Sequence, residues 1–104
     1  MVKSNLLMES KYIRSSKDKP CQVMLEGCMP ENNSVEFMYY NTTGMRPLDI
    51  QGMYACINCR DIINGERVVD PPYDQDFLIR KQMEAVLRTQ RIMHRNGLLG
   101  CLKL

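Results

Sequence analysis

Apolar and polar positions along the chain change rhythm twice, and those changes divide it into elements. The last third reads most clearly. From Asp74 or Asp76, either of which can cap a helix, an amphipathic pattern runs to Arg95 and stops at Asn96-Gly97, predicting a helix over residues 74–95. At about 100° per residue from Arg80, the residues Ile79, Met83, Val86, Leu87 and Met93 fall in one apolar arc. Leu78, Ala85 and Ile92 form a second arc. Arg80, Lys81, Arg88, Arg91 and Arg95 share a third, basic edge. His94 falls on the border of the first arc, which points it toward a sheet.

The middle of the chain has strand character. Residues 35–40 (Val-Glu-Phe-Met-Tyr-Tyr) alternate in part and are rich in strand formers, and Met53-Tyr54-Ala55 is a second short strand. Asn64-Gly65 stands between Asp61-Ile62-Ile63 and Glu66-Arg67-Val68-Val69. Asn-Gly is the favoured two-residue hairpin loop because both central residues need positive φ, so residues 61–69 read as a β-hairpin. Residues 22–26 fit a strand or one helical turn before Gly27. A short helix over residues 4–13 leads into Ser15-Ser16-Lys17-Asp18-Lys19-Pro20, which reads as a flexible basic linker, so residues 1–19 are expected to order on a partner. Residues 98–104 form an apolar tail expected to dock on its own domain or on another chain.

At 104 residues this is one domain, spanning 20–104 after the N-terminal segment. Its apolar content holds nine Met, two Phe and no Trp, and methionine specifies packing weakly, so such a core gains from a crosslink. No apolar run approaches the ~20 residues of a membrane span, and no secretory leader is visible, so an intracellular, nuclear or cytoplasmic protein is expected. In a reducing compartment, cysteines more often bind metal than pair.

Cys56-Ile57-Asn58-Cys59 is the strongest chemical signal. A C-x2-C turn offers two thiolates to a tetrahedral ion with the right bite. With the hairpin expected behind it, the stretch 53–70 resembles one half of a zinc ribbon. Together with the predicted strands and last helix, this reads as an α+β domain: a small zinc-ribbon-like sheet packed by one long C-terminal helix. Cys21 and Cys28 are the favoured partners, giving a structural zinc site of Cys21, Cys28, Cys56 and Cys59, with His94 or Cys101 as rivals for an upstream place. Five buried apolar thiols with no metal are the plainer alternative.

Catalytic readings find less support. A redox C-x-x-C follows a strand and opens a helix, whereas residues 60–65 read as strand and turn. One histidine offers little acid–base machinery near neutral pH. Asp70, Asp74 and Asp76 could attract a divalent cation, but two of them suit a helix start.

Net charge sharpens the expected working surface. The chain totals +2, but residues 1–19 carry +3, residues 20–76 carry −6 and residues 77–104 carry +5. An acidic middle between basic ends points to ends that fold back onto it, to self-association or to an acidic partner. The sequence therefore suggests a non-catalytic, zinc-stabilised interaction module, an adaptor or assembly component of a regulatory or nucleic-acid-associated complex. Two alternatives stand beside it: direct nucleic-acid binding through Arg80, Lys81, Arg88, Arg91 and Arg95, with Tyr39, Tyr40 and Tyr54 as stacking surfaces, and a self-assembling structural protein.

Overall fold

Two short strands pair at the centre of the structure, a computed structural model that describes residues 11–31, 33–40 and 47–100. Strand β1 (Glu36–Tyr39) runs antiparallel to β2 (Gly52–Ala55), with Phe37 opposite Tyr54 and Met38 opposite Met53. This is the sheet expected from residues 35–40 and 53–55. All of β2 is buried, because elements cover it on several sides. The α+β class is as the pattern implied: a two-stranded antiparallel sheet and a long C-terminal helix.

Gly52 lets the strands close around an aromatic side chain. A Cβ there would lie 2.4 Å from Cε2 of Phe37. The Phe37 ring fills that space and meets Tyr39 and Tyr54 edge-on, at centroid distances of 5.3 and 6.2 Å.

The chain then enters a helix where a hairpin was expected. Residues Ile57–Ile63 form α2, with Cys56 at its N-cap. Asn64-Gly65 is a helix stop. Gly65 has φ of +79°, its N–H bonds to Ile62 O (3.2 Å), and the N–H of Glu66 bonds to Asp61 O (2.8 Å). This nested pair of bonds is a Schellman cap, in which glycine takes the left-handed position. Ile62, which suggested a strand, instead serves a helical period: Cys56, Cys59 and Ile62 recur every three residues and all three are buried.

The long helix α3 (Gln75–Arg95) has Asp74 at its N-cap and Asn96 at its C-cap, matching the expected span. It ends in the same cap: Gly97 N–H bonds to His94 O (3.0 Å) and Leu98 N–H to Met93 O (2.9 Å). Its buried residues are Ala85, Val86, Thr89 and Met93. The core-facing stripe therefore runs between the two predicted apolar arcs, through Thr89. Met83 (51% exposed), Leu87 (66%) and His94 lie outside it. The expectation that His94 faces the sheet is corrected by that rotation of the buried stripe.

Thr89 explains how a helix can cover the open edge of β2. Its Oγ1 accepts the Tyr54 N–H at 3.0 Å, while Tyr54 O accepts the Gln22 N–H at 2.8 Å. An unpaired strand edge is a liability, and here it is satisfied by one helix side chain and one loop amide. Residues 21–28 are neither strand nor helix but a loop, with Met24 at φ of +61° and Gly27 at +79°.

The N-terminal segment is packed from Lys11 onward. Helix α1 (Lys11–Arg14) leads to Ser15, whose hydroxyl lies 2.7 Å from the Tyr54 hydroxyl, and Ser16 is buried. Residues 1–10 of the expected flexible arm, and residues 101–104 of the expected tail, fall outside the described residues. Leu98 and Leu99, the start of that tail, pack against the core. Among the described residues no helix is long and apolar enough to cross a membrane.

Candidate metal centre

Two segments distant in sequence bring four sulfurs together. The loop 21–28 supplies Cys21 and Cys28, and the strand-to-helix junction supplies Cys56 and Cys59. Their Sγ atoms all lie within 4.8 Å of one another, so the four side chains could hold a metal ion. The Cys21–Cys59 separation is 3.7 Å and the Cys28–Cys56 separation 4.0 Å. Both are far beyond the ~2.05 Å of a disulfide, and all four are free thiols. Cys21, Cys56 and Cys59 are fully buried and Cys28 partly so.

Each half of the cluster is braced by the other. The Leu25 N–H points at Cys59 Sγ and the Met29 N–H at Cys56 Sγ, each at 3.4 Å. Backbone amides of the first loop thus meet sulfurs of the second pair, and the Leu25 amide favours the anionic form of Cys59. Asn58 sits between the second pair and is almost wholly buried. Its Nδ2 donates to Glu26 O at 2.7 Å, and Gly27 leaves room for it: a Cβ there would be 3.0 Å from Asn58 Oδ1. The α2 N-terminus is tied to the turn before β1, with Ile57 N–H donating to Ser34 Oγ at 3.0 Å. Arg60 bonds to Ala55 O (3.1 Å) and Ser34 O and pairs with Glu36 Oε1 (3.3 Å).

Four crowded thiols cannot share many negative charges without a cation. The hydrogen bond from Cys59 pulls Cys21 down to about 4, more than offsetting its burial. Burial, followed by the neighbouring Cys21 sulfur, pushes Cys28 up to about 12. Cys59 is raised, first by the proton it shares with Cys21 and then by burial. Without an ion, negative charge therefore favours Cys21 over Cys28 and Cys59, while a divalent ion would let those two ionise.

The residues of the predicted basic edge stand in different surroundings. Arg80 lies over the Phe77 ring at 5.3 Å and Lys81 at 5.9 Å, and Phe77 itself stacks on Tyr73 at 5.1 Å. Arg88 turns inward: its Nη2 donates to Gln22 O at 2.6 Å, and its Nε is buried with no partner. Arg91 and Arg95 are exposed beside His94, in a shallow groove also lined by Leu87 and Gln90. Tyr54 is fully buried, so it offers no stacking face. His94 lies in that groove, away from the four sulfurs, and Cys101 is outside the described residues.

Sequence reasoning missed Asn58, Ser34, Gln22 and Thr89 as parts of this framework. Thr89 alone carried a signal, since it lies between two apolar arcs at a position that must be buried. The reason given against a redox C-x-x-C is also overturned, because Cys56 and Cys59 do follow a strand and open a helix. Two further sulfurs in contact with them distinguish this site from an isolated dithiol.

Comparison with known proteins follows the same outline. No curated protein matches the chain. A solved structure from Escherichia coli K-12, described as "Structure of a putative bacteriophage protein", superposes with a TM-score of 0.67 over 81% of this chain and 96% of its own. At 22% identity that likeness establishes the fold alone. Residues 10–98, a stretch holding the sheet, the four cysteines and all of α3, match a family described as "Putative nuclease YbcO", and the chain belongs to that family.

Proposed function

We propose that the four cysteines hold a structural zinc ion, and that the domain so stabilised binds nucleic acid without cleaving it, as an adaptor or assembly component of a nucleic-acid-associated complex. The largely buried four-sulfur cluster carries the zinc part of this reading. Zinc–thiolate bonds of about 2.3 Å in a tetrahedron put sulfurs about 3.8 Å apart. The separations of 3.7 and 4.0 Å bracket that value. Four soft donors favour zinc over hard cations such as magnesium. Four protein ligands also fill the coordination sphere, whereas a catalytic zinc keeps a position open for water or substrate. The zinc-ribbon analogy holds for the gathering of two cysteine pairs, but the second pair rides on a helix start.

Nucleic acid as the partner is supported by the family description and by the C-terminal half of α3. The groove beside Arg91, His94 and Arg95 has no acidic side chain in its lining, so phosphate can approach it. Fluorescence anisotropy with labelled single- and double-stranded oligonucleotides tests this. Binding should weaken as salt rises, and Arg91→Glu with Arg95→Glu should weaken it further. Absent or salt-insensitive binding would end the reading.

The family description favours a second reading, a nuclease. His94 is the chain's sole histidine, and no carboxylate lines the groove around it to hold a catalytic cation beside that imidazole. The two readings part in a cleavage assay with magnesium or manganese. The binding reading expects intact substrate. Strand scission that disappears in His94→Ala while affinity persists would establish the nuclease instead.

A further inference from the structure

The outer face of α3 carries a regular line of side chains outside the core. Asp76, Arg80, Met83, Leu87, Gln90 and His94 follow one another at intervals of four and three residues, the spacing of a coiled-coil seam. This line faces away from the buried stripe of Ala85, Val86, Thr89 and Met93. Its two central members, Met83 and Leu87, are 51% and 66% exposed, one turn apart. Gln90 lies at the rim, its Nε2 donating to Ile50 O at 2.8 Å.

From this line we infer that two copies of the chain pair through α3, antiparallel, about a two-fold axis near Ala85. A two-fold interface requires that if residue i meets residue j, then j meets i. About a centre at position 85 the line satisfies this: Met83 faces the second copy's Leu87, Arg80 faces its Gln90, and Asp76 faces its His94. The apolar pair sits in the middle and the Asp76–His94 pair at each end.

Charge selects both the partner and the direction. The N-terminal end of α3 carries Asp74 and Asp76, and the C-terminal end carries Arg91, His94 and Arg95, all exposed. Antiparallel pairing places each acidic end on a basic end and opposes the helix dipoles. Parallel pairing would set Asp76 against Asp76 and Arg95 against Arg95, a like-charge penalty that discriminates against it. The 21 residues of α3 span about 32 Å, enough for three heptads of contact.

The pairing covers Leu87, Gln90 and His94, one side of the groove proposed above to meet phosphate, and leaves that contact to Arg91 and Arg95. A two-fold axis perpendicular to both helices leaves Arg91 and Arg95 of the two copies on one face of the dimer, where they form a longer basic track than either copy offers alone.

Light scattering and sedimentation equilibrium on the purified full chain test the inference without nucleic acid. The expected mass is twice 12.1 kDa at high concentration. Leu87→Asp should raise the dimer dissociation constant at least ~100-fold, since each dimer loses the central contact twice. Leu87 is exposed, so the variant's far-UV circular dichroism should match that of the parent. Asp76→Lys should weaken pairing about tenfold, and adding His94→Glu should restore it. A chain that stays at 12.1 kDa at millimolar concentration, a dimer indifferent to Leu87→Asp, or an Asp76→Lys defect that His94→Glu fails to correct would overturn the inference.

Discussion

Replacing Thr89 with valine removes one oxygen and isolates what that oxygen does. Thr89 and Tyr54 are both fully buried, and Oγ1 accepts the Tyr54 N–H at 3.0 Å. Valine has nearly the same shape, so the helix and core keep their packing while the amide loses its acceptor. A buried donor left unpaired costs about 1–3 kcal/mol. The new methyl recovers less than ~1 kcal/mol of apolar burial. The expected net loss is therefore about 1–2 kcal/mol. With a urea slope of roughly 1–2 kcal/mol per M for a domain of this size, the unfolding midpoint should fall by about 1 M with the slope unchanged. Thr89→Ser keeps the acceptor and loses only a methyl, so in that variant the Tyr54 amide should remain protected from hydrogen exchange. In Thr89→Val the same amide should lose protection beyond the global loss of stability. A valine variant as stable as the parent, with Tyr54 still protected, would refute the role given to this hydroxyl.

Other expectations are simpler to state. Gly52→Ala should destabilise the domain by about 1–3 kcal/mol in a thermal melt, because the new Cβ would meet the Phe37 ring at 2.4 Å and Met38 O at 3.1 Å. Adding Phe37→Leu should recover part of that loss. Zinc added at neutral pH should release two protons or more, since Cys28 is held protonated up to about 12 and Cys59 above the ordinary thiol range. Apparent zinc affinity should then rise with pH and fall in acid. A pH-independent affinity between about pH 6 and 8 would contradict that proton balance. Arg88→Met should destabilise the loop that carries Cys21, because Arg88 Nη2 holds Gln22 O. Faster zinc loss to a chelator would report it.

Two identical dipeptides show where the sequence was legible and where it was not. Asn96-Gly97 closes a long amphipathic period, so its role as a helix stop could be read directly. Asn64-Gly65 ends a helix of only seven residues, too short to display a period, and the isoleucines and valines around it suggested strands. Tertiary structure decided the matter: Cys56, Cys59 and Ile62 needed one buried face, which a helix supplies. The four-cysteine grouping was readable because the C-x2-C spacing is distinctive and the other pair lies in one short loop. The amides that brace the sulfurs were not readable, since they come from Leu25 and Met29 in the opposite loop. On α3 the helix and its amphipathic pattern were legible, but Met83 and Leu87 of the first predicted arc are exposed. Which part of the two arcs faces the core depended on Thr89 sealing the edge of β2, a tertiary demand invisible to hydrophobicity.

Metal analysis coupled to folding tests the central claim most directly. The purified chain should carry one zinc per 12.1 kDa, and chelation should abolish its far-UV circular dichroism and cooperative melt. Serine at Cys21, Cys28, Cys56 or Cys59 should each lower zinc content, while His94→Ala and Cys101→Ser should leave it unchanged. A chain that keeps the same spectrum and melting temperature with no metal bound would contradict the account.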